Sequence, residues 1–150
     1  MIVGFLAILN PALAETRTAS LAVSAVVVPT CTVNGSAVSF GNYEIAAVEQ
    51  AGNIGVNCSQ GTTYVLSLGG GSGANAGMRQ MSGPANAALS YALYQDQSRS
   101  KLWGSASDNH AITGTGNGNM QNLPVYGRIP AGQVVAPGNY NEVVSITLTY

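Results

Sequence analysis

Charge is what this chain has least of. Its 150 residues include five Lys and Arg and six Asp and Glu, 7% in all, for a formal net charge of -1. Soluble domains usually carry about a quarter charged residues, so Ser, Thr, Asn, Gln and Gly must wet this surface. The few charges stand singly along the chain, and without a basic stripe nucleic acid is not a partner. Weak self-repulsion suits a protein packed against copies of itself. Histidine occurs once, as His110 in the turn-rich "SASDNHAITG", and the two cysteines match no zinc or redox spacing. Metal, thiol and acid–base chemistry therefore lack their parts, and the sequence predicts neither an enzyme nor a cofactor. Glu44 and Glu49, the nearest carboxylate pair, flank an alanine-rich loop as solubilising charges. Asp96 and Arg99 are close enough to steady a turn. The glycine run "GGGSG" is not followed by Lys-Ser/Thr and opens no helix, which removes a phosphate loop. No apolar run reaches the ~18 residues of a membrane-spanning helix.

What is present is export, a cysteine pair and strands. Residues 1–14, "MIVGFLAILNPALA", read as a secretory signal: an apolar stretch from Ile2 to Leu9, then Pro11 and a small-residue cleavage site at Ala12, Leu13 and Ala14. The mature chain is expected to begin at Glu15. No Lys or Arg precedes the apolar stretch, so the start codon is expected upstream. Export carries Cys31 and Cys58 into an oxidising compartment, where an even count reads as one disulfide; two buried thiols are the alternative.

Alternation of period two recurs along the chain, and no segment carries a helical period. Ile54, Val56 and Cys58 share a face, as do Tyr64, Leu66 and Leu68, then Leu89, Tyr91 and Leu93. The final run "NEVVSITLTY" sets Val144, Ile146, Leu148 and Tyr150 on one side and Ser145, Thr147 and Thr149 on the other. Turn-rich segments separate these runs, including Asn34-Gly35, "SGPAN", "GTGNGN" and Pro137-Gly138-Asn139. The expectation is one domain, an all-β antiparallel sandwich. One run is left over: "TASLAVSAVVV", residues 18–28, alternates in the same way but stands before Pro29 with no evident partner.

Three blocks carry a family resemblance: the cysteine segment through "VSFGNY" with Phe40, Gly41 and Tyr43; "YALYQDQSRSKLWG"; and "LPVYGRIPAGQVVAPGNYNEVVSITLTY". On these blocks the chain resembles the spore coat protein U domain family, subunits of archaic chaperone-usher pili, and the similarity covers nearly all of the mature chain. The resemblance implies an incomplete immunoglobulin-like (pilin) sandwich over residues 29–150 that lacks its last strand. A donor strand from a neighbouring subunit completes it, which is donor-strand complementation. On that footing residues 15–28 are an N-terminal donor-strand extension. Ala19, Leu21, Val23, Ala25 and Val27 enter the neighbour's groove, while Ser20, Ala22 and Ser24 face outward. Val144, Ile146, Leu148 and Tyr150 form the C-terminal strand that a periplasmic chaperone grips.

The partners implied are related subunits, that chaperone and an outer-membrane usher. The protein is then expected on the cell surface, in a fimbrium supporting adhesion and biofilm formation. Two alternatives stand beside this. Residues 18–28 are the first strand of the chain's own sandwich, or the protein is a secreted monomeric glycan-binding module that stacks sugars on Tyr91, Tyr94 and Trp103.

Overall fold

The computed structural model describes Gly4, residues 13–69 and residues 77–150. The expected signal segment falls almost wholly on residues 1–12, outside the described residues save Gly4, and most of the "GGGSGANAG" run is likewise outside them.

Eight strands follow in chain order: β1 (Cys31–Gly35), β2 (Val48–Cys58), β3 (Thr63–Leu68), β4 (Arg79–Ser82), β5 (Ala88–Tyr94), β6 (Ile112–Thr115), β7 (Met120–Ile129) and β8 (Ile146–Thr149). A short 3-10 turn at Pro84–Asn86 interrupts the run between β4 and β5. The strands form two antiparallel sheets, β1-β2-β7-β5-β4 and β6-β3-β8. The alternation in the sequence explains which faces meet. Ile54, Val56 and Cys58 from β2, with Leu89, Tyr91 and Leu93 from β5, are 5% exposed or less. They pack against Tyr64, Leu66 and Leu68 of β3, 3% exposed or less. Burying such side chains is worth about 1.5 to 3 kcal/mol each, which fixes both registers, because a slip of one residue would turn each row out to water. The expected all-β sandwich is the fold.

The register of β2 on β7 runs from Val48 against Ile129 to Asn57 against Met120 and forms the spine of the larger sheet. The connection between β1 and β2 lays Val38 and Phe40 over this spine. Gly52 and Gly127 leave the room: a Cβ on Gly127 would lie 2.6 Å from Phe40 Cζ, and one on Gly52 2.8 Å from Val38 Cγ2. Tyr43 fastens the same connection, donating to the Pro130 carbonyl at 2.8 Å and accepting from Gln133 N–H at 2.9 Å.

The final run is broken where continuous alternation leads one to expect a single strand. Asn141 bridges to Ser82 beside β4 in the large sheet, and the strand proper begins only at Ile146 in the small one. Residues 142–144 cross between the sheets, so the side-chain pattern survives while the ladder does not.

Candidate functional site

Each sheet ends in strands with no strand beyond them among the described residues, β1 and β4 in one and β6 and β8 in the other, and the edges of β1 and β8 adjoin where Gly35 meets Ile146. Flanking hydrogen bonds show which way their backbone groups point. Ser59 N–H donates to the Thr30 carbonyl at 2.9 Å, and Ser36 N–H to the Asn53 carbonyl at 2.8 Å. Thr30, Thr32, Asn34 and Ser36 thus face β2, and Cys31, Val33 and Gly35 turn their N–H and C=O groups to the open edge. In the small sheet Gly69 N–H donates to the Ser145 carbonyl at 2.8 Å, while Leu68 N–H points the other way, to Gly104, at 3.0 Å. Ser145, Thr147 and Thr149 accordingly pair with β3, and Val144, Ile146, Leu148 and Tyr150 present their backbone groups outward.

The outward-facing backbone positions coincide with inward-facing side chains. Val144, Ile146 and Leu148 pack on the core, as do Cys31 and Val33. The cleft between β1 and β8 therefore has an apolar floor and a row of unsatisfied donors and acceptors on each wall, the features that accept another strand. Its walls run in opposite directions. Gly35, at the end of β1, lies against Ile146, at the start of β8. At the base, Pro29 and Tyr150 line one depression with residues 59–63.

The leftover run does not enter this cleft. Residues 13–29 belong to no strand and are exposed throughout. Ala19, Leu21, Val23, Ala25 and Val27 are all exposed, Leu21, Val23 and Val27 to 88%, 87% and 93%. The run is thus not paired as a first strand of its own sandwich. Its root is fixed. Cys31 and Cys58 are bonded as a disulfide across directly opposed positions of β1 and β2, with Cα atoms 4.1 Å apart. Since the adjoining Thr30 and Ser59 are hydrogen-bonded, the cysteines occupy a non-hydrogen-bonded pair, where strands approach closely enough for a bridge.

A buried polar cluster anchors the top of the cleft. Arg79, 3% exposed, donates to the carbonyls of Gly69 and Trp103, the latter at 3.2 Å, and Tyr91 donates to Glu142. Burial, then the hydrogen bond to Glu142, pushes the Tyr91 phenol well above the usual tyrosine range. Burial lowers the Arg79 guanidinium, opposed by Tyr91 and Glu142. Nothing in the sequence distinguished Arg79 from a surface charge.

The remaining candidates disperse. The Arg99 side chain does not pair with Asp96, although the Arg99 backbone N–H donates to the Asp96 carbonyl at 3.0 Å and closes the turn. Its guanidinium reaches Glu49 at 3.0 Å and lies 5.8 Å from the Tyr126 ring centre, because a left-handed backbone at φ 54° turns the side chain over the sheet. Asp96 instead caps its own turn, accepting from the hydroxyls of Ser98 and Ser100 and from Lys101 N–H at 2.8 Å. These bonds hold its carboxyl far below the usual carboxylate range, Ser98 contributing most. Glu49 is drawn to Arg99 and Arg128 rather than Glu44. His110 holds a loop through its backbone, to Ser105 and Gly104. Among the described residues there is no group of three His, Cys, Asp or Glu placed to hold a metal. Trp103 and Tyr91, 1% and 4% exposed, lie in the core, so they offer no stacking platform.

Comparison with known proteins agrees with this geometry. The chain is similar to Protein U of Myxococcus xanthus, 34% identical over 160 residues, covering 94% of this chain and 89% of that protein. Its fold is similar to a chain in the crystal structure of the CsuC-CsuE chaperone-tip adhesion subunit pre-assembly complex from archaic chaperone-usher Csu pili of Acinetobacter baumannii. The TM-score is 0.63 at 24% identity, over 83% of this chain and 40% of that one. The Spore Coat Protein U domain matches residues 17–147, taking in both the sandwich and most of the extension, and the chain belongs to that family.

Proposed function

We propose that this protein is a structural subunit of a secreted chaperone-usher pilus that polymerises by donor-strand complementation. The observation that carries the reading is the pairing of two unsatisfied features in one chain: an exposed alternating extension and an open apolar cleft between β1 and β8. Neither is satisfied by the other within the chain, whereas the extension of one copy fits the cleft of the next. The similarity to a chain of a chaperone-tip adhesion subunit pre-assembly complex supports a periplasmic chaperone as a partner, which this reading places in the cleft first. The outer-membrane usher, surface localisation, adhesion and biofilm formation follow from this role as expectations. No catalytic step or cofactor is called for.

Chain polarity sets the direction of the donor. The extension leaves the domain at the base, beside Tyr150. A donor antiparallel to β8 enters with its start at the base and its end at the top, so the next domain stacks above. The opposite direction would bring two bases together, where each domain's own extension departs. Only the antiparallel insertion propagates as a fibre.

The test is thermal unfolding of the dilute full chain with a synthetic peptide of residues 15–28. Peptide at a hundredfold excess over Kd stabilises a one-site receptor by about 2.7 kcal/mol, an increase in Tm of roughly 5 to 10 °C. A Tm indifferent to the peptide, in a chain that never forms heat-resistant multimers, would reject the reading.

A further inference from the structure

We infer, on the strand-exchange reading above, that the extension docks on β8 of a second copy in one particular register. Val26 lies opposite Val143, Ser24 opposite Ser145, Ala22 opposite Thr147 and Ser20 opposite Thr149. On the inner face Ala25, Val23, Leu21 and Ala19 lie opposite Val144, Ile146, Leu148 and Tyr150.

Side-chain parity removes half of all registers. Directly opposed residues in a sheet share a face, so the apolar row of the extension lies opposite the inward row of β8, and only slips of two residues remain. The outer faces choose among these. Along the β8 segment the outward row reads Val143, Ser145, Thr147, Thr149; along the extension it reads Ser20, Ala22, Ser24, Val26. Each row is apolar at one end and small or hydroxylated elsewhere, in opposite order. An antiparallel donor therefore brings Val26 onto Val143, while the Ser and Thr positions meet small or polar partners. Val143 and Val26 are 95% and 89% exposed in the free chain, and a cross-strand contact shields both.

The root of the extension sets the end of the pairing. Val27, Val28 and Pro29 line a depression with residues 59–63 and Tyr150 of their own domain, and Val28 is down to 65% exposed. Val28 thus marks the held root, and Val26 is the last residue of the outward row free to leave. A slip placing Val28 on Val143 pulls Val28 off its own base and sets Val26 against Ser145. The reverse slip sets Ser24 against Val143 and strands Val26 in water. In the favoured register residues 27–30 remain as a link of roughly 13 Å between domains. Val27, though on the apolar row, then belongs to the joint and not to the cleft.

The register is testable in the full chain, whose only two cysteines are already bonded to each other. Ser24→Cys is combined with Ser145→Cys, with Thr147→Cys or with Val143→Cys. Each multimer is oxidised, boiled in detergent without reductant and resolved by size. Ser145 and Thr147, whose backbone groups face β3, form non-hydrogen-bonded pairs with a donor, within reach of a disulfide, and Val143 continues their row into the crossing segment. Pairs displaced by two residues sit about 7 to 8 Å apart, beyond that reach. The Ser24→Cys with Ser145→Cys chain should give a reductant-sensitive ladder capturing at least about tenfold more chains than either shifted pair. A stronger ladder from a shifted pair, or heat-resistant multimers with no ladder from any pair, overturns the register and leaves strand exchange standing. Parent and variant chains that all stay monomeric overturn both.

Discussion

Gly35, the last residue of β1, lies against Ile146, the first of β8, so closely that a Cβ on Gly35 would stand 2.6 Å from Ile146 Cδ1. Ile146 packs across the upper end of the cleft floor only because position 35 has no side chain. Gly35→Val should crowd the floor where a donor strand must pass. Overpacking of this kind costs about 1 to 3 kcal/mol, so binding of the 15–28 peptide, followed by titration calorimetry, should weaken roughly tenfold or more. Unchanged affinity would mean that the occupied cleft lies elsewhere.

Loss of the Cys31–Cys58 bridge frees a loop with a sequence separation of 27. In the chain-entropy account such a loop is worth about 3 to 4 kcal/mol. The Cys31→Ser, Cys58→Ser double variant should lower unfolding stability in urea by that amount. A loss under about 1 kcal/mol would show that the unfolded chain is already restrained.

Arg79→Met would leave the Gly69 and Trp103 carbonyls without their donor and Glu142 without its nearby positive charge. Removing one member of a buried charged cluster costs about 3 to 5 kcal/mol. Chemical denaturation should show that loss. A near-neutral variant would indicate that water enters the site.

Asp96 supplies a pH signature. Its folded carboxyl titrates below its unfolded value of 3.8, so its contribution is present above that value and is lost as pH falls below it. Asp96→Asn should therefore be less stable than the parent at pH 7, with the gap in Tm closing as the pH drops below about 4. A gap independent of pH would assign the loss to packing.

Tyr150 ends the chain with its backbone groups turned to the open edge of β8 and its side chain 59% exposed. On the proposed function, Tyr150→Asp places a charge on the strand that a chaperone or donor strand would pair with. Surface assembly of the variant, measured by immunolabelling of whole cells, should be abolished. Normal assembly would remove Tyr150 from the gripped strand.

The alternation of Ile54, Val56 and Cys58, of Tyr64, Leu66 and Leu68, and of Leu89, Tyr91 and Leu93 made the sandwich core legible, because a period of two has one physical use in a folded chain. Other features resist such reading because they depend on where distant segments meet. The crossing at residues 142–144 keeps its alternation while changing sheets, so the pattern gives no sign of it. Arg99 escapes Asp96 through a backbone angle rather than a composition. Arg79 looks like any surface cation until the Gly69 and Trp103 carbonyls converge on it. The cleft was foreseeable only through the family resemblance. Its edges are defined by backbone directions at β1 and β8, and those depend on which neighbours each strand has found.

The cross-strand disulfide also determines how tension enters the domain. A pull on the extension passes through Pro29 and Thr30 to Cys31, and the covalent bridge there hands it at once to Cys58, at the end of the longest strand. β1 is an edge strand of five residues that would otherwise be peeled from β2 one hydrogen bond after another. Through the bridge, the load is spread as shear along β2 and its long register with β7, where many bonds must yield together.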